Sequence, residues 1–298
     1  MLILLTLPGV LFAQNKERKG FWQKTGEWFQ GTPYQGEMPL YTTHTKLLLG
    51  AGAVGLEDGY LSETAHSGPL FSIKSLTDFA LRSDRDKWHV YQEAEILGGF
   101  PENPANKAPL YVIGGQYSIG DAWRAFLWHG LSLDLAPMLS ASVQGNMKLN
   151  NTNNIANVKA DFGLDAWARL RYRIPVEAFP MKVQYALRLP VLHGTFSPAY
   201  GQSYYEYVAG GDKSVKVKFY PTSLLNSFDI RQHLLIDLPI RHVTVTLGAE
   251  HRYQNTRLSN LVYRQGAWMG LLGVSFDLFG LSGNRTHNSP YLKNAIDR

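Results

Sequence analysis

The stretch KADFGLDAWARLRYR, Lys159 to Arg173, alternates without a break. Ala160, Phe162, Leu164, Ala166, Ala168, Leu170 and Tyr172 fall on one side, and Asp161, Gly163, Asp165, Trp167, Arg169 and Arg171 on the other. A β-strand sends successive side chains to opposite faces, so this is a two-faced strand far longer than the usual five or six residues. The same alternation returns in HGLSLDLAPMLSASVQG (129–145), MKVQYALRLP (181–190), SFDIRQHLLIDLP (227–239) and VTVTLGAEHRY (243–253). It closes in GVSFDLF (273–279), where Val274, Phe276 and Leu278 oppose Ser275 and Asp277. The chain is therefore all-β, and the remaining question is which face meets water.

Composition alone leaves that open. The 298 residues are 45% hydrophobic and 18% charged, with a mean hydropathy of -0.19, values compatible with a soluble domain. The polar faces decide it. A soluble barrel turns Lys and Glu outward and packs bulky branched residues inside; here the polar faces mix Asp, Arg, Ser, Gly, Gln and His. The apolar faces carry aromatics near strand ends, Trp88, Tyr172, Tyr253, Trp268 and Phe279 among them, as the interfacial girdles of an outer-membrane barrel do. The expected fold is an antiparallel transmembrane β-barrel turned inside out, apolar to lipid and polar to the lumen.

Targeting agrees. Met1–Ala13, MLILLTLPGVLFA, has the plan of a secretory signal, too short to span a bilayer as a helix. The chain has no Cys, which excludes disulfides, thiolate metal sites and a lipoprotein anchor. Residues 14–44, with Phe21, Trp22, Trp28 and Phe29, read as a short periplasmic arm or lumen plug, exposed aromatics being a partner-docking feature. The barrel is expected over 45–280, and 281–298 as a periplasmic tail.

Turns and loops set the topology. Short connections are expected at SDRD (83–86), Asp121–Trp128, IPVEAFP (174–180) and PIRH (239–242). Longer ones are expected at 58–69, 98–109, NNTNNIAN (150–157), His193–Asn226 and QNTRLSN (254–260). That pattern gives about ten strands, with both termini in the periplasm. The segment His193–Asn226 contains a Gly-Gly-Asp hairpin signal that would make the count twelve if it entered the wall.

At Leu56–Pro69 a resemblance appears. The Gly-rich strand LLLGAGAV followed by Asp58-x-Tyr60-Leu61-Ser62 and then Gly68 resembles an uncharacterised family of outer-membrane barrels in Bacteroidota, with Glu63 and His66 standing where that pattern has Pro and an aromatic. The resemblance implies a barrel without an assigned activity.

Candidate functional residues are the inward charges. Asp161, Asp165, Arg169 and Arg171 lie on one polar stripe, Asp229, Arg231, His233 and Asp237 on another, with Arg188, Glu250, Arg252 and Asp277 on their neighbours. Further inward positions are Lys46, Lys74, Arg82 and Lys182 against Asp78, Glu93, Glu95 and Asp134. The signs roughly balance, and an unpaired buried charge costs several kcal/mol, so a mutual network blocking the pore is expected.

An omptin-like hydrolase would need an Asp pair and an Asp-His pair at the outer rim; Asp84, Asp86 and His89 form the nearest cluster, at the wrong end. His129 and Ser132 are three apart and point to opposite faces, and His251 reads as a lone strand histidine. No phosphate-binding Gly loop or metal-spaced His cluster occurs, so no cofactor or metal is expected. A net charge of +5 and a pI near 9.2, spread along the chain, do not signal nucleic acid. Expected partners are outer-membrane lipid and an outer-membrane protein complex reached through the arm or outer loops. A structural or accessory barrel ranks ahead of a narrow solute channel, and an enzyme comes last.

Overall fold

Ten long segments pair antiparallel into a closed ring, and the ring closes because β1 (Leu40–Asp58) bonds both β2 (His66–Phe79) and β11 (Leu261–Leu278). The computed structural model describes residues 40–79, 87–151, 154–175, 181–198, 203, 219–240, 243–278 and 292–294. From β2 the wall continues through β3 (Trp88–Gly99), β4 (Tyr111–Trp128), β5 (Leu131–Met147), β6 (Ala156–Arg173) and β7 (Lys182–Phe196). It is completed by β9 (Ser227–Ile240) and β10 (Val243–Leu258). The described residues contain no helix.

The eighth stave is built in two pieces. β7 pairs β9 from Lys182 to Arg188, and then pairs β8 (Phe219–Thr222) from His193 to Phe196. Ser223–Asn226 bulges out between the pieces, closed by Ser227 N–H donating to Ser223 C=O at 2.8 Å. The wall therefore has ten staves. The hairpin expected within 193–226 falls mostly on 204–218, outside the described residues, as do Met1–Ala13, residues 14–39, SDRD and the core of IPVEAFP. β1 begins at Leu40, five residues before the expected barrel edge, and β12 (Leu292–Asn294) in the tail runs parallel to Leu40–Thr42.

The faces sort as the alternation requires. Leu49, Ile96, Ile113, Leu139, Phe162 and Leu272 point outward, each more than half exposed, while Lys74, Asp134, Arg169 and Glu250 are buried inside. Such a continuous apolar outer surface far exceeds the few hundred Å² that a water-soluble monomer tolerates, and it is the surface a bilayer requires. Aromatics ring both ends of it: Trp88, Trp123, Trp128 and Tyr172 toward the short turns, Phe71, Tyr111, Phe162 and Phe228 toward the longer connections.

Two connections depart from expectation. Asp121–Trp128 is strand, not turn: β4 runs on to Trp128 because a bulge between Arg124 and Phe126 shifts the alternation by one residue, which in sequence looks like a loss of period. The reversal comes at His129-Gly130, with φ 46° and 85°, a left-handed pair suited to a tight hairpin. QNTRLSN likewise stays in β10 to Leu258 and turns at Ser259-Asn260, φ 52° and 63°.

A second bulge lies in β7. Leu164 pairs Leu192 but Asp165 pairs Pro190, so Val191 is the extra residue, and both Val191 and Leu192 face outward. Pro190 has no N–H to donate to the ladder, which suits a bulge. His193 is thereby turned into the lumen beside Gly163, where a Cβ on residue 163 would lie 2.2 Å from Leu192 O and 2.6 Å from His193 Cα.

An arginine on the outer belt should be disruptive. Leu272→Arg should lower unfolding free energy in lipid vesicles by about 2–4 kcal/mol, as for a cation near the bilayer midplane, measured by urea titration with tryptophan fluorescence. An unchanged midpoint would mean this face is not in lipid.

Candidate functional site in the barrel lumen

The lumen is built in layers, and Arg169 organises the one nearest the short turns. It is 1% exposed and carried by β6. Its Nη1 and Nη2 donate to the two Asp78 oxygens at 2.8 and 2.7 Å, and its Nε and Nη2 to Asp134 Oδ2 at 3.2 and 3.0 Å. Asp78 comes from β2 and Asp134 from β5, so one planar fork ties three staves across the bore, a geometry lysine could not reproduce. The same guanidinium lies 5.0 Å from the centroids of Tyr91 and Trp167, themselves stacked at 4.3 Å. His89 Nε2 sits 2.9 Å from Arg169 Nη2 and 3.2 Å from Asp78. Arg124 and Arg171 approach Asp134 at 3.4 and 2.8 Å.

Alongside it, Lys46 reaches across from β1 to Asp237 of β9, which also accepts from Thr246 Oγ1 at 2.7 Å. The next layer groups Lys74 and Arg252 with Glu93, Glu95 and Glu250. Lys74 donates to Glu93 at 3.1 Å and to Glu250, while Arg252 donates through Nε to Glu250 at 2.8 Å and through Nη2 to Glu95. Three carboxylates share two cations, with Arg188 and His233 lining the same void.

Farther toward the long connections, His193 stands between Asp161 at 3.2 Å and Asp165 at 2.7 Å. Arg188 approaches Asp165 at 3.6 Å, and Arg231 pairs with Asp229 at 3.2 Å. Uncharged groups hold the last acid: Asp58 accepts from Asn146 Nδ2 at 2.8 Å, from Asn157 Nδ2 at 2.9 Å and from Tyr60 N–H at 3.2 Å. Lys159 lies 4.5 Å over the Tyr263 ring. An apolar cluster including Val54, Tyr60, Leu61, Leu70, Leu110 and Met269 packs this end of the bore. Voids between the layers measure about 50 Å³ around Lys159 and Arg231 and about 10 Å³ beside His193.

The structure therefore brings Asp161, Asp165, Arg169, Arg171, Arg188, Asp229, Arg231, His233, Asp237, Glu250 and Arg252 into the bore. Asp277 sits at its turn-end edge against His44 Nδ1, 2.9 Å away. His251 faces outward instead, its ring 4.3 Å from Trp268, and Gln232 Nε2 meets its Nδ1 at 3.1 Å. His89 belongs to the Arg169 layer rather than to a turn, while Asp84 and Asp86 lie outside the described residues.

Sequence reading missed His44, His89, Arg124 and His193 as lumen groups. His89 alternates in phase with Glu93 and Glu95 and was legible on that ground; Arg124 and His193 each sit beside a bulge, and nothing in an alternation count marks them.

Replacement of the clasp tests this arrangement. Arg169→Ala should destabilise the folded barrel by about 3–5 kcal/mol, because Asp78 and Asp134 stay buried after the cation is gone. Arg231→Ala, at a partly hydrated position, should be milder. Denaturant titrations of the two variants in one detergent give the comparison, and equal losses would dethrone Arg169 as the organising group.

Over residues 2–285 the chain matches, and belongs to, the family of proteins of unknown function DUF3316. No curated protein matches it in sequence. Among solved structures it is similar to the outer membrane protease OmpT from Escherichia coli, at 7% identity and TM-score 0.50, covering 80% of this chain and 97% of that one. It is also similar to the β-domain of the Bordetella autotransporter BrkA, at 12% identity and TM-score 0.39, covering 78% and 99%. A third is Ail, the attachment invasion locus protein of Yersinia pestis, at 9% identity and TM-score 0.22, covering 80% and 100%. These likenesses concern fold.

Proposed function

We propose that this DUF3316 protein is a sealed outer-membrane barrel serving as a structural or accessory subunit of an outer-membrane assembly. The observation that carries the reading is the cross-lumen pairing, Lys46 with Asp237, Arg169 with Asp78, Lys74 with Glu250 and Arg252 with Glu95, with only small voids left between the layers. A porin needs an aqueous path; a bore filled by mutually paired side chains leaves none. In this reading the short-turn end is periplasmic, and both β1 and β11 present their outer-chain ends there, as in bacterial barrels. The Bacteroidota origin implied by the Asp58-Tyr60-Leu61-Ser62 motif belongs to the same reading. So does a partner engaged through residues 14–39 or the long connections, with lipid around the belt and no catalytic role.

A narrow channel for a small solute is the second reading, favoured by the void of about 50 Å³ under Lys159 and Tyr263. It predicts small, stable single-channel steps in planar bilayers; the sealed barrel predicts none from the purified wild-type protein. Porin-sized steps would end the sealed reading.

Topology is tested separately. Epitope tags within 150–155 and 204–218 should be labelled on intact cells, and tags at 176–180 should be silent until the outer membrane is opened. The opposite pattern would invert the barrel and return Asp84 and Asp86 to the outer rim, which is where a hydrolase would need them.

A further inference from the structure

The turn-end mouth of the barrel encloses a cavity of about 130 Å³, roughly ten times what a single water requires. Among the described residues its wall presents six basic side chains, His44, Lys46, Arg124, Arg171, Arg173 and Lys182, and one carboxylate, Asp237. Lys46 already takes Asp237. Beneath the cavity, Asp78 is gripped by Arg169, and Asp134 is shared by Arg124, Arg169 and Arg171. Three guanidiniums thus meet two carboxylates. Arg171 shows the deficit directly. Its Nη2 is 2.8 Å from Asp134 but out of line for a hydrogen bond, and both Nε and Nη2 are buried without an acceptor among the described residues.

A buried donor without an acceptor is costly, and a buried cation without a full counter-charge more so. The missing group is an anion, and its shape follows from the donors. Guanidinium forks match the oxygen spacing of phosphate, and a group carrying several oxygens can be held by Arg171 while Arg173 and Lys182 close from the rim. Tyr172, exposed on the outer face, also lines the cavity, so the mouth opens beside the membrane. We propose that this vestibule binds a phosphate-type oxyanion, delivered either free in solution or as a phospholipid headgroup. The site borders the Arg169 layer through Arg124 and Arg171 and does not depend on the bore being sealed.

The full chain purified in maltoside detergent, with Arg171→Gln and Arg173→Gln beside it, tests the proposal. Inorganic phosphate is titrated by calorimetry, and phosphatidylglycerol retained from mixed micelles is counted as phosphorus per protein. The expected result is saturable binding near one equivalent, undisturbed by equal ionic strength of chloride, weakened about tenfold by Arg171→Gln and about threefold by Arg173→Gln. Phosphate binding on its own identifies the free oxyanion; retention of phosphatidylglycerol without it, lost in the variants, identifies the headgroup. Absence of saturable binding by both probes, or variants that bind like wild type, overturns the proposal. Should Arg171→Gln fail to fold, Arg173→Gln decides alone, since Arg173 is exposed and it is its backbone N–H, which the substitution keeps, that donates to Gly130 C=O.

Discussion

The guanidinium of Arg169, nearly free of solvent and clasped by Asp134 of the adjoining β5 and by Asp78 of the more distant β2, sets the terms on which the rest of the barrel is arranged. With apolar side chains committed to the outside, every inward charge has to be answered across the bore. The penalty for leaving one unanswered in a low-dielectric interior is several kcal/mol. The layers follow from that: Arg169 and Lys74 each stand where carboxylates from two other staves converge, and Lys46 where Asp237 reaches it. Ion pairs of this kind are weak ground for net stability, since well-packed apolar residues can do as well. Their contribution is to register. A slip of one residue would turn Arg169, Asp78 and Asp134 out toward lipid, and a slip of two would separate them.

Small departures from regular pairing serve the same end. The bulge at Val191 spends one residue on the outer face and so returns His193 to the lumen, between Asp161 and Asp165. The bulge between Arg124 and Phe126 lets β4 turn Phe126 and Trp128 outward on the way to the left-handed turn while Arg124 keeps its place over Asp134. In both cases the strand trades strict alternation for the position of one charged or titratable side chain.

The two ends of the bore differ in kind. Toward the long connections, the lining becomes amide, phenol and aliphatic, with Asp58 held by Asn146 and Asn157 and an apolar cluster around Leu110. Toward the turns, the lining is cationic and opens onto the vestibule. A barrel whose middle is paired while one mouth is lined mainly by cations has an electrical polarity as well as a structural one.

Much of this was legible in the chain before any coordinate. Period-two alternation from Lys159 to Arg173 and in its repeats determined that the protein is all-β and two-faced, because a strand cannot choose its faces residue by residue, and the mixed polar faces with aromatics at the strand ends pointed to the inverted arrangement. The near balance of inward Asp, Glu, Lys and Arg determined that those charges would have to meet. Which of them meet was beyond the sequence. Lys46 with Asp237 and Lys74 with Glu250 are joined across 191 and 176 residues of chain, and such pairings depend on register and stagger round the closed ring. The bulges at Val191 and beside Arg124, the divided eighth stave and the cationic mouth were likewise settled only in three dimensions. Each depends on how one strand's hydrogen bonds meet its neighbour's, a property that no strand possesses alone.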